Sequence, residues 1–135
     1  MPASLIFIGT HDARERATRI GAARIAVGAS TLLPPSLARH ILGLRTDEVT
    51  GASVFFTRMF GIRNAVLGAW VLSTLDQSKE QRRFVYRVNA AVDAADMAVL
   101  VLSALSGRMP KRFFALSAVL GCNALLGFLE LASEV

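Results

Sequence analysis

The feature that most limits the possible folds of this sequence is a long uncharged stretch near its C-terminal end, Phe113–Leu129. The stretch is 17 residues long, with two basic residues before it and Glu130 after it. Because a helix rises about 1.5 Å per residue, residues 112–131 reach roughly 30 Å, the thickness of the hydrocarbon core of a bilayer. The stretch therefore predicts a membrane-spanning helix.

Three further apolar segments have the length of a helix but contain charged residues. Together with 112–131, the predicted spans are 17–33, 55–75 and 84–105. The first ends at Pro34 and Pro35, because proline lacks the backbone donor that a continuing helix needs. The charged residues inside the three segments are Arg19, Arg24, Arg58, Arg63, Arg87, Asp93 and Asp96.

Composition favours a membrane protein over the alternative, a soluble bundle of four helices. The chain is 53% hydrophobic and 19% charged, whereas a soluble domain has about 45–50% apolar and about 25% charged residues. Residues 64–75 also lack the polar face that a helix of a soluble bundle needs. We predict an all-α fold in a single domain, residues 1–135: a four-transmembrane-helix bundle with a short interfacial N-terminal segment.

The segments outside the predicted spans are short. Residues 1–10 lack the basic residues and the apolar length of a signal peptide, so we expect them to be kept. Residues 11–19 are rich in charge and are predicted to form a helical lead-in at the membrane interface. Apolar side chains recur at helical spacing within 36–44, which predicts a short interfacial helix. Thr46 precedes two acids, so the second helix is predicted to begin there.

The number of spans and the basic residues predict the orientation. Four spans place both termini on one side of the membrane. That side, with the loop 76–83, has six Lys and Arg residues against five on the other. Since basic residues favour the cytoplasmic side, we predict a multi-pass membrane protein with cytoplasmic termini.

Polar and small residues form matching faces on three of the predicted spans. The third span has a stripe at steps of three and four residues, which share one helix face: Arg82, Tyr86, Asn89, Asp93 and Asp96. The second span has Thr57, Gly61, Asn64 and Gly68, with Arg63 on the flank. The first span has Gly21, Arg24, Gly28 and Thr31. Packing these faces together is predicted to pair Asp93 with Arg63 and Asp96 with Arg24.

These residues predict an intramembrane polar cluster with two alternative roles. A charge at the bilayer centre costs about 2.5–3.5 kcal/mol, so it usually faces protein or water and has a partner. Either the two aspartates relay protons or ions, or the Arg–Asp pairs lock the helices together. Arginine favours the structural role, because it stays charged and holds a carboxylate in its ionised form. The predicted cluster comprises Arg24, Arg63, Asn64, Asn89, Asp93 and Asp96.

Four other arginines are predicted to contact lipid headgroups. They lie near the ends of the predicted spans, where a long side chain reaches the phosphates. A basic balance without interleaved aromatic residues favours anionic lipids as partners and argues against nucleic acid. The four residues are Arg58, Arg82, Arg83 and Arg87.

The sequence contains no recognisable set of catalytic residues, so we do not expect an enzyme, a metal site or a cofactor. It has no P-loop, GxSxG, HExxH or GxGxxG motif. His11 and His40 have no cysteine or carboxylate at ligand spacing on a helix face. The single cysteine, Cys122, is predicted to be a small buried residue.

The segment Arg58–Gly68, followed by Asn89, Asp93 and Asp96, resembles a family of small four-helix integral membrane proteins of actinomycete-type bacteria. These proteins share an Arg-x-Phe-Gly-x-Arg-(Asn/Asp) motif in the second helix and an acidic third helix. The resemblance covers roughly residues 17–131 and implies the fold and the location, a bacterial inner (plasma) membrane. The family has no agreed activity to transfer.

We expect a non-enzymatic accessory subunit that stabilises or regulates a larger membrane complex. Small proteins of the kind that the sequence resembles can serve as accessory subunits of envelope transport machines, such as lipid-importing ABC assemblies of the Mce type. The alternative is a self-contained small oligomeric transporter or channel that uses Asp93 and Asp96 as its coupling site.

Overall fold

The chain is all-α over the residues that the structure, a computed structural model, describes, which are 12–135. The prediction that residues 1–10 are kept, and His11, fall outside the described residues. From Ala13 onward, the predicted lead-in forms the first turns of the first helix. The helices are α1 (Ala13–Ser30), α2 (Pro35–Leu42), α3 (Gly51–Ser73), α4 (Lys79–Leu105) and α5 (Lys111–Glu134).

Capping residues set where the long helices begin. The Asp12 carboxylate accepts a hydrogen bond from the Arg14 backbone N–H at 2.8 Å. Ser78 and Gln81 form a reciprocal capping box at the start of α4. A second capping box begins α3 at Thr50, so the prediction of a start near Thr46 is wrong. Residues 46–48 form a separate 3₁₀ turn, held by the Glu48 carboxylate, which accepts from the Arg45 N–H.

The predicted short helix in the first loop is present as α2. It begins with Pro35 at its first position and ends at Gly43, whose φ of 67° is the left-handed conformation that favours glycine. The preceding helix ends at Ser30, three residues earlier than predicted, and a turn leads from it to Pro34.

The four long helices form an up-down-up-down bundle. Neighbouring helices run antiparallel around the bundle in the order α1, α3, α4, α5. The last helix, α5, packs beside α1 and closes the bundle. Helices α1 and α4 therefore lie diagonally across the bundle. Packing is closest within two pairs, α1 with α3 and α4 with α5, and looser between the pairs. We call the end where α1 begins and α5 ends the terminal end.

Glycines bring the backbones of α1 and α3 into direct contact. A Cβ atom on Gly28 would lie 2.5 Å from the Gly61 carbonyl oxygen. At the other end of the contact, a Cβ on Gly68 would lie 2.5 Å from the Gly21 carbonyl oxygen. These four glycines belong to the small faces predicted on the first two spans, and they meet because no side chain separates the helices.

Two helices, α4 and α5, are long and apolar enough to cross a membrane. Only 22% and 17% of their most apolar stretches are buried, so most residues in these stretches are at least partly exposed. Helices α1 and α3 do not meet the same test, and both contain arginines within their length. The buried apolar core lies towards the terminal end, among Ala17, Ile20, Val71, Val85, Tyr86, Phe128 and Leu131.

Candidate functional site: two Arg–Asp pairs

Arg24 and Asp93 form an ion pair across the centre of the bundle. One terminal nitrogen of Arg24 donates to both carboxylate oxygens of Asp93 at 2.8 Å. The two side chains are only 5% and 7% exposed. The guanidinium also lies over the Phe128 ring, 5.5 Å from its centroid. Gly68 makes room for it, since a Cβ there would lie 2.9 Å from the Cβ of Arg24.

Arg63 and Asp96 form a second pair at the edge of the bundle, between α3 and α4. A terminal nitrogen of Arg63 donates to an Asp96 oxygen at 2.5 Å. The side chains are 44% and 26% exposed, so this pair is only partly enclosed. The Arg63 guanidinium lies 5.1 Å from the centroid of the Phe60 ring on the same helix.

The structure brings together the two arginines and two aspartates that the sequence selected, but the predicted partners are wrong. Asp93 pairs with Arg24, and Asp96 pairs with Arg63. The reason is the diagonal position of α1. Asp93 points at the bundle centre and reaches α1. Three residues further along α4, the helix has turned by about 300°, and Asp96 therefore points towards α3.

The two asparagines of the predicted cluster are buried beside the pairs without joining them. Asn64 donates to the Phe60 carbonyl at 3.0 Å, and Asn89 donates to the Val85 carbonyl at 2.9 Å. Each thus bonds its own helix four residues earlier. The Asn89 side-chain oxygen is buried and has no partner within the described part of the chain. The asparagines therefore add polarity to the interior, while the arginines and aspartates make the contacts between helices.

Three of the four arginines predicted to contact lipid are exposed: Arg58, Arg83 and Arg87. Arg82 differs, because it is half-buried and its Nε is enclosed without a partner among residues 12–135. It continues the polar stripe of α4 towards the terminal end. The contacts of these arginines with lipid headgroups stay a prediction.

The sequence reasoning missed a charged cluster at the terminal end. Arg16 is 4% exposed and binds Glu134 and, at 3.7 Å, Glu130 of α5. Nearby, Arg14 donates to Asp76 at 2.7 Å, and this hydrogen bond holds the pKa of the Asp76 carboxyl below its usual value. The spacing in the sequence does indicate that Arg16 is buried. Arg16 precedes Ile20 by four residues and Arg24 by eight, so it lies on the same buried face of α1.

The other candidate side chains do not form a site. His40 is exposed on α2. Cys122 was predicted to be buried and is exposed instead, and its sulfur lies 4.0 Å from that of Met97 of α4. No group of three or more metal-ligating side chains exists within residues 12–135.

Two grooves lie near the ends of the bundle, away from the aspartates. The larger, of about 400 Å³, lies between the end of α3 and the start of α4, beside Trp70 and Phe84. The smaller, of about 70 Å³, lies beneath α2. Neither is lined by Asp93 or Asp96.

No family model matches this chain, and no curated protein or solved structure shows significant similarity to it. The resemblance to small four-helix membrane proteins therefore depends on the motifs of α3 and α4 alone.

Proposed function

We propose that the chain crosses a bacterial inner membrane four times, through α1, α3, α4 and α5, and keeps its termini in the cytoplasm. The distribution of polarity carries this proposal: an ion pair occupies the centre, while large apolar side chains cover the outside. A soluble bundle has the opposite arrangement, whereas intramembrane charges face the bundle interior. The outward residues include Phe55, Phe56, Ile62, Val66, Val101, Leu102, Val119 and Leu129.

The low burial of α4 and α5 supports the same proposal. An apolar core helix of a soluble protein is mostly enclosed, and these two are not. Arg24 of α1 and Arg63 of α3 are compatible with a bilayer because each forms an ion pair with an aspartate of α4. Exposed Arg58, Arg83 and Arg87 would then lie within reach of anionic headgroups.

Fractionation tests the membrane location. We expect the protein to stay in the membrane pellet after alkaline carbonate or high salt and to be released by detergent. Protease treatment of spheroplasts and of inverted vesicles should cleave an N-terminal tag only in the inverted vesicles. Release by carbonate alone would contradict the proposal.

Within the membrane, the chain acts as a non-enzymatic accessory subunit of a larger complex, such as an ABC-type lipid importer of the Mce kind. Two observations support this role. The buried carboxylate of Asp93 accepts hydrogen bonds from Arg24 across the bundle, a contact that holds α1 and α4 together. In addition, the outward faces of α3, α4 and α5 present apolar side chains on which the helices of another membrane protein can pack.

One observation favours the alternative, a small oligomeric transporter or channel. The Asp96 carboxylate is partly exposed well inside α4, where a coupling residue would lie. Affinity purification of the tagged endogenous protein in mild detergent, followed by mass spectrometry, separates the two functions. A stoichiometric larger membrane protein is the result we expect. Recovery of this chain alone would favour the transporter.

A further inference from the structure

The surface between α3 and α4 combines a mid-helix ion pair with large exposed apolar side chains. Arg63 and Asp96 lie at its centre, and both are partly exposed. We call this surface the α3/α4 seam. Phe56 precedes Arg63 by seven residues, two helical turns, and so lies on the same face of α3. Val66 and Val99 follow Arg63 and Asp96 by three residues each. Phe84 packs edge-on against Trp70 of α3. All four apolar side chains are at least 60% exposed.

An ion pair that is partly exposed near the middle of a spanning helix needs contact with another protein surface. Arg63 is the thirteenth of the 23 residues of α3, so at about 1.5 Å per residue it lies well over 10 Å from either helix end. Its side chain is too short to reach the headgroups from there. In contact with lipid tails, the exposed parts of both charges would have no polar partner, and such residues normally face protein.

We propose that a second copy of this chain covers the α3/α4 seam and forms a symmetric dimer in the membrane. The inference rests on the membrane location proposed above. Two copies inserted in the same orientation are related by a two-fold axis along the membrane normal, which keeps every residue at its own depth. The axis places α3 of one copy opposite α4 of the other.

Charge complementarity selects a second copy as the occupant. The seam has its positive charge on α3 and its negative charge on α4, at one depth because the two side chains touch. The two-fold axis therefore places Arg63 opposite Asp96 of the second copy, and the reverse. Four charges alternate in sign in a ring, and the apolar residues around it exclude lipid from the centre, as at the core and rim of a protein interface.

Photo-cross-linking in native membranes tests the position of the interface. Benzoylphenylalanine replaces either Val99 on the seam or Val119 on the outward side of α5, two valines of similar exposure, 61% and 57%. We expect a covalent dimer of this chain from position 99 and little from position 119. Equal yields would overturn the proposal, as would a product at position 99 that contains only another protein or only lipid.

An exchange of charges tests the ion pairs themselves. Arg63→Asp gives a seam with two acids, and Asp96→Arg gives one with two bases, so each variant repels itself and complements the other. With different tags and joint expression, the mixed pair should co-purify about five- to thirtyfold more than either variant with itself, the effect of one or two kcal/mol. No preference for the mixed pair would overturn the proposal.

Two controls separate the possible failures. If a charge variant does not accumulate, the neutral double variant Arg63→Gln with Asp96→Asn replaces it, and we expect this variant to insert normally but lose the cross-link from position 99. A retained cross-link in this variant would overturn the proposal that the two ion pairs hold the copies together. Carbonate extraction comes first: release from the membrane overturns the membrane location and the dimer together, whereas firm insertion without a dimer overturns the dimer alone.

Discussion

Two Arg–Asp pairs lie three residues apart on α4, and they differ in how far the protein encloses them. Arg24 and Asp93 are almost completely buried, and the contact crosses the bundle from α1 to α4. Arg63 and Asp96 join neighbouring helices at a seam that leaves much of the arginine exposed. The same chemistry therefore occurs in two settings within one turn of helix.

The difference in burial gives the two chemically identical pairs different roles. A buried charge without its partner is strongly destabilising, so the central pair fixes which helices lie across from each other. An ion pair at an open edge contributes less to folding and is free to take part in a contact with another chain.

The largest effect is expected from Asp93→Asn. This change leaves the Arg24 guanidinium buried without a charged partner and should destabilise the protein by about 3–5 kcal/mol. The measurement is the amount of protein in the membrane together with its unfolding temperature in detergent.

The correct partner can be identified by a second substitution. Asp93→Asn with Arg24→Leu should recover part of the loss, because removing both buried charges can be nearly neutral. Asp93→Asn with Arg63→Leu serves as the control and should recover nothing. Rescue by Arg63→Leu instead would mean that Asp93 pairs with α3. Normal levels of the single variant with pH-sensitive loss of transport would favour the transporter.

The next largest loss of stability is expected from a change in the close contact between α1 and α3 beside Arg24. Gly68→Ala places a methyl group against the Gly21 carbonyl and the Cβ of Arg24. The helices α1 and α3 must then separate, which should cost about 1–3 kcal/mol, typical of an overpacked contact. Gly51→Ala is the matched control, since a Cβ at Gly51 meets nothing within 4 Å. Equal unfolding temperatures for the two variants would contradict the close contact.

Asp96→Asn should have a smaller effect on stability. Its partner Arg63 is partly exposed, and the asparagine still accepts a hydrogen bond, so we expect a loss of about 1 kcal/mol or less. The test is the difference in unfolding temperature from wild type, measured beside Asp93→Asn in the same detergent. A loss as large as that of Asp93→Asn would remove the distinction between the two pairs.

The smallest effect is expected from the exposed pair Arg14 and Asp76, outside the spanning segments. Arg14 lowers the pKa of Asp76, so the pair stabilises the folded state above the usual aspartate pKa of about 4. This contribution is lost as the pH falls through the lowered pKa. Between pH 7 and pH 3, wild type should lose slightly more stability than Asp76→Asn. Identical pH profiles would show that the pair does not contribute.

Much of the secondary structure could be predicted, and the errors have a physical cause. The all-α fold and the short helix in the first loop are confirmed. The predicted spans begin several residues too late, at 17, 55 and 84, because they follow hydropathy. The helices begin at 13, 51 and 79, where Asp12, Thr50 and Ser78 supply the capping hydrogen bonds.

The sequence by itself determined which residues could form the candidate site. Helical periodicity is local, so the stripe that ends in Asp93 and Asp96 follows from spacing alone. Only the tertiary structure decided the partners: Arg24 for Asp93, Arg63 for Asp96 and Glu134 for Arg16. Partner choice depends on which helices are neighbours and how far each is rotated about its axis. The glycine contacts between α1 and α3 and the packing of α5 against α1 set those rotations, and neither is encoded within a single helix.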